Sequence, residues 1–359
     1  MLAARAYNNA EKGLPMLVER RTLPRAVNQA PRLKVVSSRP RISVESLEDA
    51  EERLHSLEAG LLEHPPRIAS KFFYDEQGCA LYEAICQLDE YYPTRTEKAI
   101  FERYRSEIAC HLPQGGQWVD LGCGDGSKSW PWLPAVAASR YVGVDIAKDW
   151  LGSTLMTGAQ RCPGMEFLGV VTDFTRPLLL RAVMRSNTTL PPIFFYPGSS
   201  IGNFTPAEAL QLLCAIRAHL GPEGRLLIGV DAPKDAQMLE AAYADSLGIT
   251  AAFNRNVLRV VNRLIGSNFI PQRFNHRAWY NQEENRIEMH LVAREPQTVQ
   301  IGTRRCQYEL GDTIVTEYSY KYSPERFEAL LGMAGFKEIR RWSDPASLFN
   351  VYVAAPDFS

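Results

Sequence analysis

Clustered metal ligands are missing from this sequence. The seven cysteines, Cys79, Cys86, Cys110, Cys123, Cys162, Cys214 and Cys306, are scattered and form no C-x-x-C pair. The six histidines show no ligand spacing near any of them, which argues against a structural zinc site. An odd, dispersed set of thiols points to a reducing compartment and a cytoplasmic protein. Charge of one sign is lacking too: a formal net charge of -1 leaves no global field to attract a polyanion, so nucleic acid is not expected as a partner. No apolar run approaches the ~18 residues of a membrane span, and no signal-type segment lies near the start, so no membrane partner is expected.

What is present is a chain of 359 residues, 45% of them apolar, enough for a large core in two domains or one domain with a big insertion. Residues 1–45 are rich in arginine and poor in acids and are expected to be a disordered extension. A transit peptide or a nucleic-acid arm is the alternative there, and Met16 offers a second start. From Ser46 a leucine stripe through Leu47, Leu54, Leu57, Leu61 and Leu62 predicts a helix. The segment "SKFFYDEQGCALYEAICQLDEYYPTRTEKAIFERYRSEIACHL" reads as a turn at Gln77-Gly78, a short helix, an aromatic loop and a longer helix opened by Thr94 or Thr96. Residues 117–233 alternate strand and helix, the pattern of a parallel doubly wound sheet, with strands at "QWVDLG", "RYVGVDI", "MEFLGVV", "IFFYPG" and "GRLLIGVDA". After Pro233 a helical stretch is followed by "RIEMHLVARE", "TVQIG" and "IVTEYSYKY", whose period-2 alternation predicts antiparallel strands. A capped helix, "PERFEALLGMAGFKEI", and two strands then return to the first pattern, so the sheet is expected to be split around an α+β insertion.

The turn "GCGDGSK" follows the first of these strands. It misses a phosphate loop because Ser127 stands directly before Lys128, and it misses a dinucleotide fingerprint because Ser127 stands where the third glycine belongs. Asp125 would oppose a pyrophosphate. S-adenosylmethionine carries no phosphate and suits the turn better. Gly122 and Gly124 let backbone approach a ligand, Asp145 at the end of the second strand can accept from two ribose hydroxyls, and Asp173 and Phe174 after the third can meet adenine. Asp145 as a helix cap and Phe174 as a core residue are the alternatives, but their recurrence at successive strand ends follows the crevice rule of open sheets.

Several stretches, "SKFFYDEQG", "EYYPTRTE", "GSSIGNFTP", "GITAAFNRNVL" and "TEYSYKY", resemble the histidine-specific, S-adenosylmethionine-dependent N-alpha-methyltransferases of ergothioneine biosynthesis from about Ser46 to the C-terminus. The resemblance implies an α/β fold: a Rossmann-like class I methyltransferase sheet (97–232 and 322–359) with an inserted α+β substrate-binding domain (46–96 and 233–321), acting as a monomer on L-histidine. It implies cofactor contacts at Gly122, Lys128, Asp145, Asp173 and Phe174. The carboxylate of histidine falls to Tyr91, Asn203 and Tyr243, and its imidazole to Glu317 and Ser319. Tyr74 is implied beside the reacting amine, with Met289 and Thr250 lining the pocket. Glu317 and Ser319, two apart on a strand, share a face, and a carboxylate beside a hydroxyl can satisfy both ring nitrogens. Without the resemblance the same strand reads as an edge with its polar side in water, Asn203 as a turn residue, and Tyr91-Tyr92 as packing. Tyr82 departs from a phenylalanine usual at that place, and the aspartate and second glycine of "GCGDGSK" depart from the usual turn. A methyltransferase of another amino acid or amine is the runner-up. An NAD-dependent oxidoreductase and a nucleic-acid module are the other classes, the first disfavoured by the missing glycine and the second by the charge.

Overall fold

A computed structural model describes residues 40–44, 50–173, 176–180, 183–184 and 190–358. In chain order its elements begin with β1 (Arg41–Val44), α1 (Ala50–Leu61), a 3-10 turn (Ser70–Phe73), α2 (Glu76–Ile85) and α3 (Tyr92–Ala109). The alternating region comprises β2 (Gln117–Leu121), α4 (Trp132–Ala135), β3 (Arg140–Asp145), α5 (Lys148–Arg161), β4 (Glu166–Val171), β5 (Pro192–Tyr196), a 3-10 turn (Ser200–Asn203), α6 (Pro206–His219) and β6 (Arg225–Asp231). Then come α7 (Ala236–Tyr243), α8 (Ile249–Ile265), β7 (Phe274–Asn281), β8 (Arg286–Ala293), β9 (Gln297–Ile301), β10 (Arg304–Tyr308) and β11 (Thr313–Tyr320). The chain closes with α9 (Pro324–Met333), β12 (Phe336–Ser343) and β13 (Phe349–Pro356). None of the described helices is long and apolar enough to cross a membrane.

Eight strands form one sheet in the order β1-β4-β3-β2-β5-β6-β13-β12. The first six are parallel, and β13 runs antiparallel to both β6 and β12. β2 and β5 are buried along their whole length, as apolar strands covered on both faces by helices must be. The strand order reverses between β2 and β5, so their carboxyl ends open the crevice in which such sheets hold ligands. A second body carries the antiparallel sheet β11-β8-β7 and the hairpin β9-β10. Its core joins Leu57 and Leu61 of α1 and Phe72 and Phe73 of the first 3-10 turn to Val257 and Val261 of α8 and Leu291 of β8.

The local signals explain most boundaries. Thr205 and Glu208 close a reciprocal capping box at α6, and Ser323 caps α9 ahead of Pro324. Elsewhere tertiary packing moved the limits. Gly78 lies inside α2, not in a turn, because Asp75 caps the helix by accepting from the Gly78 N–H at 2.8 Å. A Cβ on Gly78 would stand 1.7 Å from the Phe73 carbonyl oxygen, so the glycine serves close approach. α3 begins at Tyr92, with Pro93 in its first turn, two residues ahead of the expected threonine. Within the basic stretch, Arg41–Val44 forms an edge strand: "RISV" offers β-branched residues, it pairs in parallel with β4, and Arg41 Nη2 meets Glu166 Oε1 at 2.9 Å.

Candidate active site

The donor half grows from the turn after β2. Gly122, Gly124 and Gly126 all have positive φ, at 69, 50 and 72°. Gly126 is fixed by packing, since a Cβ there would come within 2.1 Å of the Trp130 ring. Gly124 faces open space: nothing lies within 4 Å of where its Cβ would be. At the end of β3, Asp145 accepts from the Gly124 N–H through Oδ2 at 3.1 Å and from the Ala147 N–H through Oδ1 at 2.9 Å. The Cys123 thiol also points at Oδ2, at 4.0 Å; a carboxylate offers about four lone-pair sites, so acceptor capacity remains for a ligand hydroxyl. Burial raises the Asp145 pKa, and the backbone donors work against that rise. Asp125 is held within the turn. Its Oδ1 accepts from the Ser127 N–H and hydroxyl at 3.0 and 2.7 Å, folding the carboxylate onto its own turn.

Lys128 reaches inward to Glu97 Oε2 at 2.7 Å, while Glu97 Oε1 accepts from the Gly198 N–H at 2.7 Å. The pair ties the glycine turn to the loop after β5. Asp173 is bridged by Lys71 at 2.9 Å, a link from the second body to the residue after β4 expected to meet adenine. Phe174 lies outside the described residues. An open backbone at Gly124 beside a half-buried carboxylate with acceptor capacity to spare fits a ribose-bearing ligand without phosphate.

The acceptor half is a cavity between the bodies. It is lined by Tyr74, Tyr91, Asn203, Tyr243, Thr250, Met289, Glu317 and Ser319, all eight of the residues singled out for the amine and its carrier. Each arrives from a different piece of chain for a local reason. A register shift between Val315 and Glu317 in β11 sets Glu317 opposite Met289 and Ser319 opposite Ile287. Asp245 accepts from the Thr250 N–H at 2.7 Å and so fixes the start of α8. Ser199 takes a left-handed φ of 57° and its Oγ accepts from the Asp231 N–H at 2.9 Å, which holds the turn carrying Asn203 against β6.

The reading of the sequence alone missed several members. Gly198, Ser199, Ser200, Ile85, Ala242 and Phe253 also line the cavity. "GSSIGN" contained the first three, but a serine after a glycine carries no mark of its distant partner. Phe253 sits in "AAFNRN", where helical spacing says only that it is buried.

Tyr74, Tyr82 and Phe253 form an open aromatic box. The Tyr74 and Tyr82 rings meet edge-on at 5.9 Å, and each lies 6.2 Å from Phe253. Burial raises the Tyr74 pKa well above its ordinary value, and the carboxylates of Glu317 and Asp145 add to the rise. One phenol therefore feels the charge of both halves of the site. Burial pushes Glu317 up to about 7, with the Lys321 ammonium pulling the other way.

Six parallel strands in this order, closed by the antiparallel β13, with a glycine turn at the switch point and an acidic residue at the end of the next strand, make up the fold of a class I S-adenosylmethionine-dependent methyltransferase. The family model described as histidine-specific methyltransferase, SAM-dependent, matches residues 53–356, and the chain belongs to that family. The histidine N-alpha-methyltransferase of Mycobacterium tuberculosis is 36% identical over 303 residues, covering 83% of this chain and 92% of that one. The ergothioneine biosynthesis protein 1 of Neurospora crassa is 31% identical over 290 residues, 78% of this chain but 32% of that longer one. A 4-dimethylallyltryptophan N-methyltransferase of Arthroderma benhamiae is 26% identical over 310 residues, covering 80% of this chain and 88% of that one.

Proposed function

We propose that the protein transfers methyl groups from S-adenosylmethionine to the α-amino nitrogen of L-histidine, three in succession, giving the trimethylated betaine hercynine used in ergothioneine biosynthesis. The observation that carries this reading is the convergence of Glu317 and Ser319 with Tyr74, Tyr91, Asn203 and Tyr243 around one cavity. Family membership and the relatives named for histidine and ergothioneine support it.

The sulfonium of S-adenosylmethionine supplies an already activated methyl group, which leaves alignment and delivery of a neutral amine to the protein. Gly122, Gly124, Lys128, Asp145, Asp173 and Phe174 are the residues assigned to hold it. On the acceptor side Tyr91, Asn203 and Tyr243 hold the carboxylate, Glu317 and Ser319 the ring, and Met289 and Thr250 fill the space beside them. Tyr74 is a positioner in this scheme: a phenol whose ionisation is strongly disfavoured keeps its proton and offers the amine an oxygen lone pair. The aromatic box suits a methylated ammonium, because ring faces attract a cation that has lost its hydrogen-bond donors. Glu317 and Met289 favour histidine over the bulky indole of the tryptophan-derivative enzymes.

Incubating the purified chain with labelled methyl donor and each free amino acid, and weighing the products, tests the reading. Mono-, di- and trimethylhistidine are expected, and a chain that methylates other amino acids but not histidine refutes it. Tyr74→Phe is expected to lower kcat about tenfold, the scale of one lost hydrogen bond, without moving any step in the pH profile of kcat. A titration present in the wild type and missing from the variant would show that Tyr74 acts as a base.

A further inference from the structure

Beneath the cavity lies a buried group that none of the assigned roles uses. Lys321, next but one to Ser319 in the chain, is 2% exposed. Its ammonium donates to Ser319 Oγ at 2.9 Å and to the Tyr243 hydroxyl oxygen at 3.0 Å, and it meets Asp231 Oδ2 at 2.9 Å. Its three hydrogens are thus all placed. Asp231 also accepts from the Tyr92 hydroxyl at 2.6 Å and pairs with Lys234, whose Nζ donates in turn to the Tyr92 oxygen at 2.6 Å.

Two consequences follow from counting charges and hydrogens. Two ammonium groups share one carboxylate, so the triad Lys321–Asp231–Lys234 taken by itself is cationic, with Asp344 acting on Lys234 and Glu317 facing Lys321 from outside it. Burial lowers Lys234 to about 8 despite Asp231, and burial opposes the Lys321 charge while Asp231 and Tyr243 outweigh it, so both are cationic at neutral pH. The hydroxyls of Tyr243 and Ser319 lie 2.8 Å apart, so one of their two hydrogens is used between them. Lys321 already occupies a lone pair on each oxygen. The pair therefore presents one hydrogen to the cavity, polarised by an ammonium directly behind it. A single donor backed by a buried ammonium is complementary to an anionic oxygen, and poorly matched to an amide nitrogen or a second cation.

We infer that Lys321 is a specificity-determining positioning residue that makes the site demand a free carboxylate on the amine it methylates. The inference rests on the reading of the cavity as an amino-acid site. Lys321 acts on the carboxylate through Tyr243, the residue assigned to that group, whose hydroxyl is bonded in turn to the ring-side Ser319, and it has no need to touch the substrate. Glu317, the other charged group on this face of β11, makes no hydrogen bond to the triad among the described residues, and its place is on the ring side.

The test compares L-histidine, histidinamide and histamine as methyl acceptors for the wild type, Lys321→Met and Lys321→Gln. The wild type is expected to use histidine at least about a hundredfold better by kcat/KM than the amide or the amine, the scale of one or two charge-assisted hydrogen bonds. In Lys321→Met that preference is expected to fall by about tenfold or more, through KM for histidine rather than kcat, with donor affinity unchanged. Asp231 keeps Lys234 as a partner in this variant, and Lys321→Gln, which restores a donor without charge, is expected to lose the preference likewise. A folded Lys321→Met or Lys321→Gln that binds donor and keeps the wild-type preference overturns the inference, as does a wild type that uses histidinamide as well as histidine. If histidine is not methylated at all, the histidine reading fails, and the same acid-against-amide comparison is made on whichever amino acid is used.

Discussion

Glu317→Ala is expected to raise the KM for histidine about a hundredfold, the scale of a hydrogen bond to a charged group lost in a dry pocket, while leaving the affinity for S-adenosylmethionine unchanged. Glu317 belongs to β11 and lines the acceptor cavity, whereas the glycine turn follows β2 and Asp145 ends β3. Steady-state kinetics with histidine, alongside calorimetric titration of the donor, checks both halves. An equal loss of donor affinity would contradict the assignment.

The same carboxyl sets a pH dependence. Its pKa of about 7 in the folded protein lies above the 4.5 of a free side chain, because burial penalises the charge. A raised pKa means that the native state is favoured by the neutral form. The stability it gives is full below the unfolded pKa and is lost as pH rises through 7. Ligand-free Glu317→Gln, which cannot ionise, is therefore expected to gain melting temperature relative to the wild type between pH 5 and pH 7. A constant difference across that range would show that Glu317 is ionised throughout.

Much of the fold was legible because it is written locally. The five parallel strands β2 to β6 are apolar runs bounded by glycine and proline, and Thr205-Pro206 and Ser323-Pro324 mark their helices by side-chain capping. Strands β1, β7 and β10 were not legible. "RRCQY" and "FNHRAWYN" alternate weakly because the charged or polar members cover a packed sheet, and Arg41–Val44 becomes a strand only because β4 offers it an edge. The long helical stretch after Pro233 breaks into α7 and α8 where Asp245 captures the Ile249 and Thr250 N–H groups, a long-range-looking cap that periodicity passes over.

In the site the difference is between residues that mark themselves and residues that matter through others. Asp145 announces itself by standing at a strand end. Lys321 does not: in "TEYSYKY" it alternates with tyrosines like any edge lysine, and only the approach of Asp231 from β6 shows that its ammonium is interior. The same holds for Glu97 and Lys71, whose partners Lys128 and Asp173 lie 31 and 102 residues away. Periodicity sees which face a residue takes; it carries no information on which distant charge waits there.

Asp145→Ala is expected to weaken the binding of S-adenosylmethionine about a hundredfold or more, since a carboxylate in the ribose-binding role proposed for Asp145 would lose two charge-assisted bonds at once. The substitution also strands the Gly124 N–H that Asp145 Oδ2 holds at 3.1 Å, so the glycine turn loses its anchor to β3. Asp145→Asn keeps an acceptor oxygen for that N–H and is expected to fall between the wild type and Asp145→Ala. Histidine contacts on β11 lie outside this change, so residual turnover at saturating donor should keep its KM for histidine. Burial raises the Asp145 pKa, so the ionised form that binds the diol is lost, as pH falls, above the ordinary carboxylate range. Donor affinity measured from pH 8 downward should decline on that early acid limb in the wild type and show no such limb in Asp145→Asn. If both proteins decline together, another group governs the acid limb. If Asp145→Ala binds donor normally, the turn and not the carboxylate holds the cofactor.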